Sequence, residues 1–398
     1  MRLGRVWVAA VAAAVVSLMV VSMAAANPPL GTNGLLAFDN GNGDHDIVTA
    51  DAVLGHPFTT VIGTAPNEFE PAWDPTGRKL AFAREVSNNV YHVLIGNYAG
   101  GPLTGIVDLT PSATDAINPV WSPDGQWIAF QSDVGPKTDI FLMRSDGTGQ
   151  VDLTAGAGAG NSNFYPDFSP DGTKIAFTSD RTGNIRNIWV MGVDGSNPTR
   201  LTTDAGGDYG ASWSPDGKSI AYQKNAVGTG EIWKMAADGS GQTRLTAGMR
   251  DDDPYFSPDG RQLVFDRFTT GPSDSEVMLF DLASGAVTNR SNDAGTDQTE
   301  PVWQDIQTCG GKQATIAGDD GPDVIKGTKH RDVIVANAAV GGKNVIKAKG
   351  GNDLICVGTG KAKVSCSGGK DKLFETGKGK KKETGCEVVR GKGKGKGK

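Results

Sequence analysis

A pentapeptide made of an aromatic residue followed by Ser-Pro-Asp-Gly recurs along this chain at nearly regular intervals. The aromatic residues of a divergent first copy, four full copies and a truncated last copy are Trp73, Trp121, Phe168, Trp213, Phe256 and Trp303. They are 48, 47, 45, 43 and 47 residues apart. A period of roughly 40 to 50 residues that contains several short strands is typical of β-propellers, in which each repeat forms one blade.

Each copy is expected to form a tight turn between two strands of a blade. Pro presets φ at the second position of a type I turn, Ser or Asp caps the turn, and Gly takes the position that favours positive φ. The next strand begins directly after the turn, as in Trp127-Ile-Ala-Phe-Gln131. Asp146-Gly147 and Asp194-Gly195 then predict hairpins between a third and a fourth strand. Four strands per repeat are the composition of a propeller blade.

The two ends of the repeat region predict how the ring closes. Gly34 to Phe38 aligns with the second strand of a blade and Asp46 to Thr49 with the third, whereas the missing first strand matches Glu300 to Trp303. One blade is therefore assembled from both ends, which hides open sheet edges. Five complete blades and this composite blade predict an all-β, six-bladed propeller over residues 34–305.

The pattern Pro-x-Trp-Ser-Pro-Asp-Gly-x-x-Ile-Ala-Phe resembles the repeats of TolB-type propellers, which also occur in relatives of prolyl oligopeptidase. The resemblance covers about residues 34 to 305 and implies the fold. Propellers host both binding proteins and enzymes, so it does not imply one function. TolB places a small α/β domain before its propeller, whereas here the propeller is expected to follow the leader directly. The sequence contains no Gly-x-Ser-x-Gly nucleophile elbow.

The first residues have the composition of a secretory leader. Arg2 and Arg5 precede an apolar run, and Ala24-Ala25-Ala26 offers a cleavage site before Asn27. We therefore expect a signal peptide over residues 1–26, a linker over 27–33 and a monomeric protein in the extracellular, periplasmic or cell-envelope space. An uncleaved anchor is the alternative, because residues 6–26 are long enough to span a bilayer.

Charge divides the chain into two unequal parts. Residues 1–308 contain 36 acidic and 19 basic residues, whereas residues 309–398 contain 9 and 20. The Gly-Lys repeats of residues 389–398 predict a disordered tail, which either remains solvated or tethers the protein to an anionic wall polymer. A nucleic-acid partner is not expected for an exported protein with an acidic main domain.

All four cysteines lie in the basic C-terminal part, at Cys309, Cys356, Cys366 and Cys386. An even number in one segment of an exported protein indicates two disulfides. A zinc site is the alternative, although the segment has no Cys-x-x-Cys and only His330 nearby.

A nine-residue period begins at Gly318, with one three-residue insertion, and predicts a small parallel β-roll over residues 306–388. It resembles the RTX nonapeptide, whose Asp residues and glycine-loop carbonyls bind Ca²⁺ between neighbouring turns. The candidate calcium ligands that this resemblance implies are Asp320, Asp323, Asp332, Asn344, Asp353 and Asp371. Ala362 replaces one ligand and lysines fill variable positions, so affinity is expected to be weak, and a coil that needs no metal is the alternative. RTX-like tails also imply the pairings Cys309–Cys356 and Cys366–Cys386.

The first strand of each blade lines the central channel, so the residue before the recurrent Pro is expected at one channel mouth. The six residues chosen on this basis are Glu70, Asn118, Tyr165, Tyr209, Asp253 and Glu300. The three acidic residues belong to neighbouring blades and could hold a cation, an amine or a basic peptide end. The alternative is that they are ordinary solvated residues at strand starts.

Two functions remain open from the sequence. The chain has only four scattered histidines, and no catalytic triad, phosphate loop or metal-binding His pair can be placed. The first hypothesis is a secreted, non-catalytic binding protein whose channel mouth engages a protein, a peptide or an envelope polymer. The second is a propeller hydrolase of the metal-dependent lactonase kind, with a channel cation held by acidic residues.

Overall fold

The computed structural model describes residues 32–390 with internal gaps. The gaps are residues 42–44, 51–57, 64–66, 114, 159–160, 227–228, 248–249, 270–274, 292–296, 307, 310–311, 314–315, 319–323, 327–332, 337–342, 358–360, 376–380 and 385. The expected signal peptide and the Gly-Lys repeats of residues 391–398 lie outside the described residues. None of the helices in the described part is long and apolar enough to cross a membrane.

Residues 32–306 form six antiparallel sheets of four strands. The chain starts with β1 (Thr32–Gly41), β2 (His45–Ala50) and β3 (Thr59–Ile62). Blade one contains β4 (Glu68–Trp73), β5 (Lys79–Ser87), β6 (Val90–Asn97) and β7 (Thr104–Asp108). Blade two contains β8 (Ala116–Trp121), β9 (Trp127–Val134), β10 (Lys137–Arg144) and β11 (Val151–Asp152). A short 3₁₀ helix, Ala155–Ala157, follows blade two.

The remaining blades repeat the same order. Blade three contains β12 (Asn163–Phe168), β13 (Lys174–Ser179), β14 (Asn187–Gly192) and β15 (Thr199–Arg200). Blade four contains β16 (Asp208–Trp213), β17 (Ser219–Ala226), β18 (Thr229–Ala236) and β19 (Thr243–Arg244). Blade five contains β20 (Arg250–Phe256), β21 (Gln262–Phe268), β22 (Ser275–Asp281) and β23 (Val287–Asn289).

Blade six joins the two ends of the propeller, which confirms the predicted closure. Its inner strand is β24 (Gln298–Ile306), and the strand order of its sheet is β24-β1-β2-β3. Leu36 pairs with Trp303 and Ala37 pairs with Val302 across the β1–β24 ladder. The two ends of the propeller are thus connected by backbone hydrogen bonds within one blade rather than by side-chain packing alone.

The recurrent turn is held by side-chain hydrogen bonds of its Ser and Asp. In blade two, Ser122 Oγ donates to Asp124 Oδ1 at 2.6 Å and accepts from the backbone N of Trp127 at 2.9 Å. Gly125 has φ +67°, a left-handed conformation that explains the glycine at this position. The divergent turn of blade one uses Asp74 instead of Ser, and its Oδ1 accepts from the backbone N of Lys79 at 2.6 Å.

The aromatic residue of each repeat lies in the core, as the repeat position predicts. The exposed fractions of Trp73, Trp121, Phe168, Trp213, Phe256 and Trp303 are between 3% and 8%. Each belongs to a hydrophobic cluster that contains residues from two neighbouring blades, such as Trp213 of blade four with Ile188 of blade three. The aromatic stripe therefore holds blades together and does not form a ligand-stacking surface.

The C-terminal part forms two parallel sheets between which successive strands alternate. After the short hairpin β25 (Thr308–Cys309) and β26 (Lys312–Gln313), the strands are β27 (Ile316–Gly318), β28 (Val324–Lys326), β29 (Val333–Ala336), β30 (Lys343–Ala348), β31 (Leu354–Val357), β32 (Lys361–Cys366), β33 (Lys372–Glu375), β34 (Lys381–Thr384) and β35 (Glu387–Arg390). One sheet has the order β27-β29-β31-β33-β35 and the other β28-β30-β32-β34. This alternation is the predicted parallel β-roll.

The nine-residue period corresponds to half a turn of this coil. Leu354 pairs with Lys372 and Lys343 pairs with Lys361, so residues stacked on neighbouring turns are 18 positions apart. Two nine-residue repeats therefore complete one turn. Gly369 has φ +144°, and a Cβ atom there would lie 1.4 Å from the carbonyl oxygen of Gly351. Stacked glycines therefore allow the backbones of two turns to approach closely.

The β-roll contains the Cys366–Cys386 disulfide, which confirms that predicted bond. Cys356 is also disulfide-bonded. The side chain of Cys309 lies outside the described residues, so the Cys309–Cys356 pairing stays a prediction.

Candidate functional site

Every inner strand of the propeller contains a β-bulge at the third residue before the recurrent aromatic residue. The register shifts by one residue between Phe69 and Ala72 in blade one, and between Asp252 and Tyr255 in blade five. Equivalent shifts occur in the other four blades. A bulge bends its strand and changes the direction of a side chain, and bulges are common at barrel rims and beside functional sites.

The bulged residue has a left-handed backbone conformation in all six blades. The φ angles of Glu70, Asn118, Tyr165, Gly210, Asp253 and Glu300 lie between +46° and +55°. Such angles are uncommon for residues other than Gly, Asn and Asp, and cost about 1–3 kcal/mol each. Glu70, Tyr165 and Glu300 are therefore held in strained conformations by the surrounding sheet. We call these six residues the mouth ring.

The structure corrects one of the six predicted positions. Gly210, not Tyr209, occupies the mouth ring in blade four, because it has the left-handed φ and lines the channel cavity. Ala211 takes the place of the recurrent Pro. Counting three residues back from Trp213, as in every other blade, would have identified Gly210 from the sequence.

The mouth ring lines a cavity of about 140 Å³ at the channel mouth. The other lining residues come from the inner strands just after the ring, including Asp167 and Ser212. Asp167 Oδ2 accepts a 2.7 Å hydrogen bond from the backbone N of Trp213, and burial raises its pKa to about 7. Asp167 thus connects blades three and four, and the sequence analysis did not single it out.

Three carboxyl groups from adjacent blades dominate one sector of the ring. Burial raises the pKa of Glu70 to about 8 and that of Asp253 to about 7, and the neighbouring carboxylates add to both shifts. Burial also raises the pKa of Glu300 well above its ordinary value, and Glu70 is the strongest of its charged neighbours. One oxygen of Glu70 accepts a hydrogen bond from the backbone N of Asn118. Because each acid is shielded from water and close to others, a cation would be strongly stabilised here.

A second layer of acids lies behind this sector. Asp266 and Asp39 are 1% and 0% exposed and lie on the second strands of blades five and six. Burial raises the pKa of both carboxyl groups. Asp39 accepts from Thr299 Oγ1 at 2.6 Å and lies 2.9 Å from His45 Nδ1. Within the described residues, Asp266 Oδ1 and Glu300 Oε2 have no hydrogen-bond partner. We call Glu70, Asp253, Glu300, Asp39 and Asp266 the acidic sector.

The sequence contained a signal for this second layer. Asp266 pairs with Asp252, and Asp39 pairs with Thr299. Each of these partners is the residue directly before a mouth-ring residue on the inner strand. The corresponding residues in the other blades are uncharged, namely Ala83, Gln131, Thr178 and Gln223. Alignment of the second strands would have shown that acids occur at this position only in blades five and six.

A cationic group lies near the ring on the side of blades three and four. The guanidinium of Arg186 lies 4.4 Å from the ring centre of Phe164 and 5.3 Å from that of Tyr209. Its charge also acts on the mouth-ring residue Tyr165. Among the described residues, no carboxylate forms an ion pair with Arg186. The mouth is therefore polarised, with acids in one sector and an aromatic-bound arginine near another.

The described residues contain no group of three or more His, Cys, Asp or Glu side chains arranged to hold a metal ion. In the β-roll, Asp353 and Asp371 are buried, and Asp371 Oδ1 accepts a 2.9 Å hydrogen bond from the backbone N of Asp353. Asp371 therefore stabilises the neighbouring turn directly. Asp320, Asp323 and Asp332 and the side chain of Asn344 lie outside the described residues, and calcium binding by this set stays a prediction.

The comparisons with known proteins agree with this geometry. A family model described as the TolB beta propeller domain matches residues 156–304. Residues 156–304 thus match a TolB-type propeller domain. The crystal structure of TolB from Acinetobacter baumannii aligns with a TM-score of 0.58 and 22% identity, covering 68% of this chain and 66% of that one. At this identity the alignment supports the fold alone.

Curated relatives match only short segments of this chain. The uncharacterized protein Atu1656 of Agrobacterium fabrum is 42% identical over 84 residues, which are 21% of this chain and 27% of that protein. The uncharacterized peptidase YuxL of Bacillus subtilis is 34% identical over 83 residues, 21% of this chain and 12% of YuxL. The Tol-Pal system protein TolB of Anaeromyxobacter dehalogenans (strain 2CP-C) is 46% identical over 46 residues, 12% of this chain and 10% of that protein. The chain thus covers about a quarter or less of the length of each relative.

Proposed function

We propose that this protein is a non-catalytic binding protein whose channel mouth captures an amine-bearing segment of a peptide or protein. The acidic sector would receive a lysine ammonium or a free N-terminal amine. The observation that carries the proposal is the convergence of Glu70, Asp253 and Glu300 from adjacent blades, each with a raised pKa. A cation that enters this sector offsets the mutual repulsion of the acids and stabilises their ionised forms.

The size of the cavity supports a side chain or a chain terminus as the bound group. The cavity of about 140 Å³ is smaller than the roughly 300–1,000 Å³ of pockets that hold drug-sized ligands. A folded domain cannot enter it. The partner would therefore lie across the mouth and insert one group.

The backbone strain supports a functional role for the mouth ring. Glu70, Tyr165 and Glu300 keep left-handed φ angles that glycine would adopt without cost. Strain of this kind is concentrated at functional sites, where the fold holds side chains in place before the ligand arrives. A ring of solvated turn residues would not require it.

We prefer binding to hydrolysis for two reasons. A lactonase-like mechanism needs a metal held by several ligands, and the described residues supply no such group. The relative named as a peptidase matches over only 12% of its own length.

We further propose that the partner is met outside the cytoplasm. The leader-like residues 1–26 and the cysteines of the C-terminal part support this location. The TolB relative is named as a component of the Tol-Pal system. Envelope proteins are therefore the first partners to search.

Calorimetric titration with a short peptide tests the proposal. The probe is a capped five-residue alanine peptide with one central lysine, and its matched control carries norleucine in place of lysine. We expect the lysine peptide alone to bind, and Glu300→Gln to weaken it at least tenfold. Glu387→Gln in the β-roll, an exposed position, is the matched control and should leave binding unchanged. Equal binding of both peptides, or loss of binding in Glu387→Gln, would refute the proposal.

A further inference from the structure

The two sheets of the β-roll differ sharply in charge. The strands β28, β30, β32 and β34 contain seven lysines and one acidic residue. The strands of the other sheet contain two basic and two acidic residues. The lysine-rich sheet is therefore cationic, whereas its neighbour in the same coil is balanced. We call the sheet β28-β30-β32-β34 the lysine sheet.

The lysines of this sheet are placed in register by the parallel pairing. Lys326 pairs with Lys347, Lys343 with Lys361, and Lys363 with Lys382. Neighbouring strands of a sheet are about 4.8 Å apart. Like charges at paired positions of neighbouring strands are destabilising. A bound anion would offset the repulsion between lysines at such positions.

Described lysine side chains on β30, directly after β30 and on β32 line one groove. Lys347, Lys349 and Lys363 are exposed and line a groove of about 490 Å³ that follows β30 and β32. Ser365 and Ser367 lie between them on the same groove. Ser367 Oγ donates to the carbonyl oxygen of Lys349 at 3.0 Å, which ties the end of the groove to the neighbouring turn.

We propose that the lysine sheet binds a linear phosphodiester polymer. The inference is independent of the channel mouth. Lysine ammonium groups bind phosphate as point charges, whereas the arginine fork binds carboxylate or phosphate bidentately in a fixed geometry. Lysines without arginine therefore suit a flexible chain whose phosphates have no fixed orientation. The lysine sheet contains no arginine. A flexible polymer can follow the groove along β30 and β32, whereas a stiff duplex bends only at a cost in free energy.

The test is a binding titration of the full chain with poly(glycerol phosphate) at low salt. Lys347→Gln combined with Lys363→Gln removes two charges from the groove. The matched control, Lys370→Gln combined with Lys372→Gln, removes two exposed charges outside the lysine sheet. We expect the first pair to weaken binding about tenfold and to reduce its salt dependence, because fewer counterions are released, and the control pair to bind as the parent does.

Further arms distinguish the competing explanations. A chain ending at Arg390 removes the Gly-Lys repeats and should retain most of the binding. Poly-glutamate and double-stranded DNA should bind more weakly than poly(glycerol phosphate). Absence of binding, equal losses in both lysine pairs, loss confined to the chain ending at Arg390, or tighter binding of either competitor would overturn the proposal.

Discussion

The side-chain oxygen of Gln131 in blade two accepts a 3.0 Å hydrogen bond from the backbone N of Tyr165 in the mouth ring of blade three. Thr178 Oγ1 accepts from the backbone N of Gly210 in the same way, at 3.2 Å. The second strand of one blade thus supports the bulge of the next blade. In blades five and six the equivalent residues are Asp266 and Asp39, so the position that holds the ring in place also adds charge to the acidic sector.

Replacing Gln131 with Ala should destabilise the propeller. The backbone N–H of Tyr165 would lose its acceptor inside the structure, at a cost of about 1–3 kcal/mol. Denaturant unfolding measures the change. Gln126→Ala removes an exposed glutamine and should change stability by less than about 0.5 kcal/mol. Equal effects of the two substitutions would show that the contact does not support the bulge.

Glu70→Gln should raise stability in alkaline solution. The pKa of Glu70 is raised from its ordinary value of 4.5 to about 8 in the folded state. Between pH 4.5 and about pH 8, Glu70 therefore holds its proton in the folded state and loses it in the unfolded state. Stability from this group is therefore present at low pH and lost as the pH rises through that range. We expect a melting temperature about 2–4 °C above the parent at pH 9, and none of this gain at pH 4.5. A gain that does not depend on pH would contradict the raised pKa.

Gly210→Val should destabilise blade four. The φ of +54° at this position is costly for a β-branched residue, and a Cβ atom would lie 3.1 Å from Asp253 Oδ1. We expect a loss of about 1–3 kcal/mol in the free energy of unfolding. Gly101→Ala, at a position with open space around it, is the control and should be nearly neutral. A neutral Gly210→Val would indicate that the ring conformation is not enforced by the fold.

Removing β24 should disrupt the closed ring. A chain ending at Asp297 lacks the inner strand of blade six, whereas a chain ending at Ile306 retains it. Both lack the β-roll, so their difference reports on closure. We expect the shorter chain to melt at least 10 °C lower and less cooperatively, which calorimetry would show. Identical melting of the two chains would contradict the role of the composite blade.

The fold could be predicted in detail from the sequence because the same turn and core residues recur in each blade of the propeller. The Ser-Pro-Asp-Gly turns, the buried aromatic residues and the split blade all follow from turn chemistry and periodicity. The β-roll followed from its nine-residue period. These features depend on contacts that recur in every repeat, so six copies reinforced one interpretation.

The site was only partly predictable, because its properties arise where the repeats differ. Five of the six mouth-ring positions were identified from the Pro that follows them, and Gly210 was missed because Ala211 replaces that Pro. Asp39 and Asp266 lie on second strands, and Arg186 lies in a loop before β14. Their proximity to the ring depends on the register between strands and on packing between blades. Neither can be read from the sequence of a single repeat.

Proton release on ligand binding tests the central claim most directly. At pH 7, carboxyl groups with pKa values of about 7 and 8, as for Asp253 and Glu70, are partly protonated, and a bound ammonium should ionise them. Titration of the lysine peptide in two buffers of different ionisation enthalpy would measure the exchange. We predict release of about half a proton or more per peptide, reduced in Glu70→Gln. Binding without proton release, or release that is unchanged in Glu70→Gln, would contradict capture of the amine by the acidic sector.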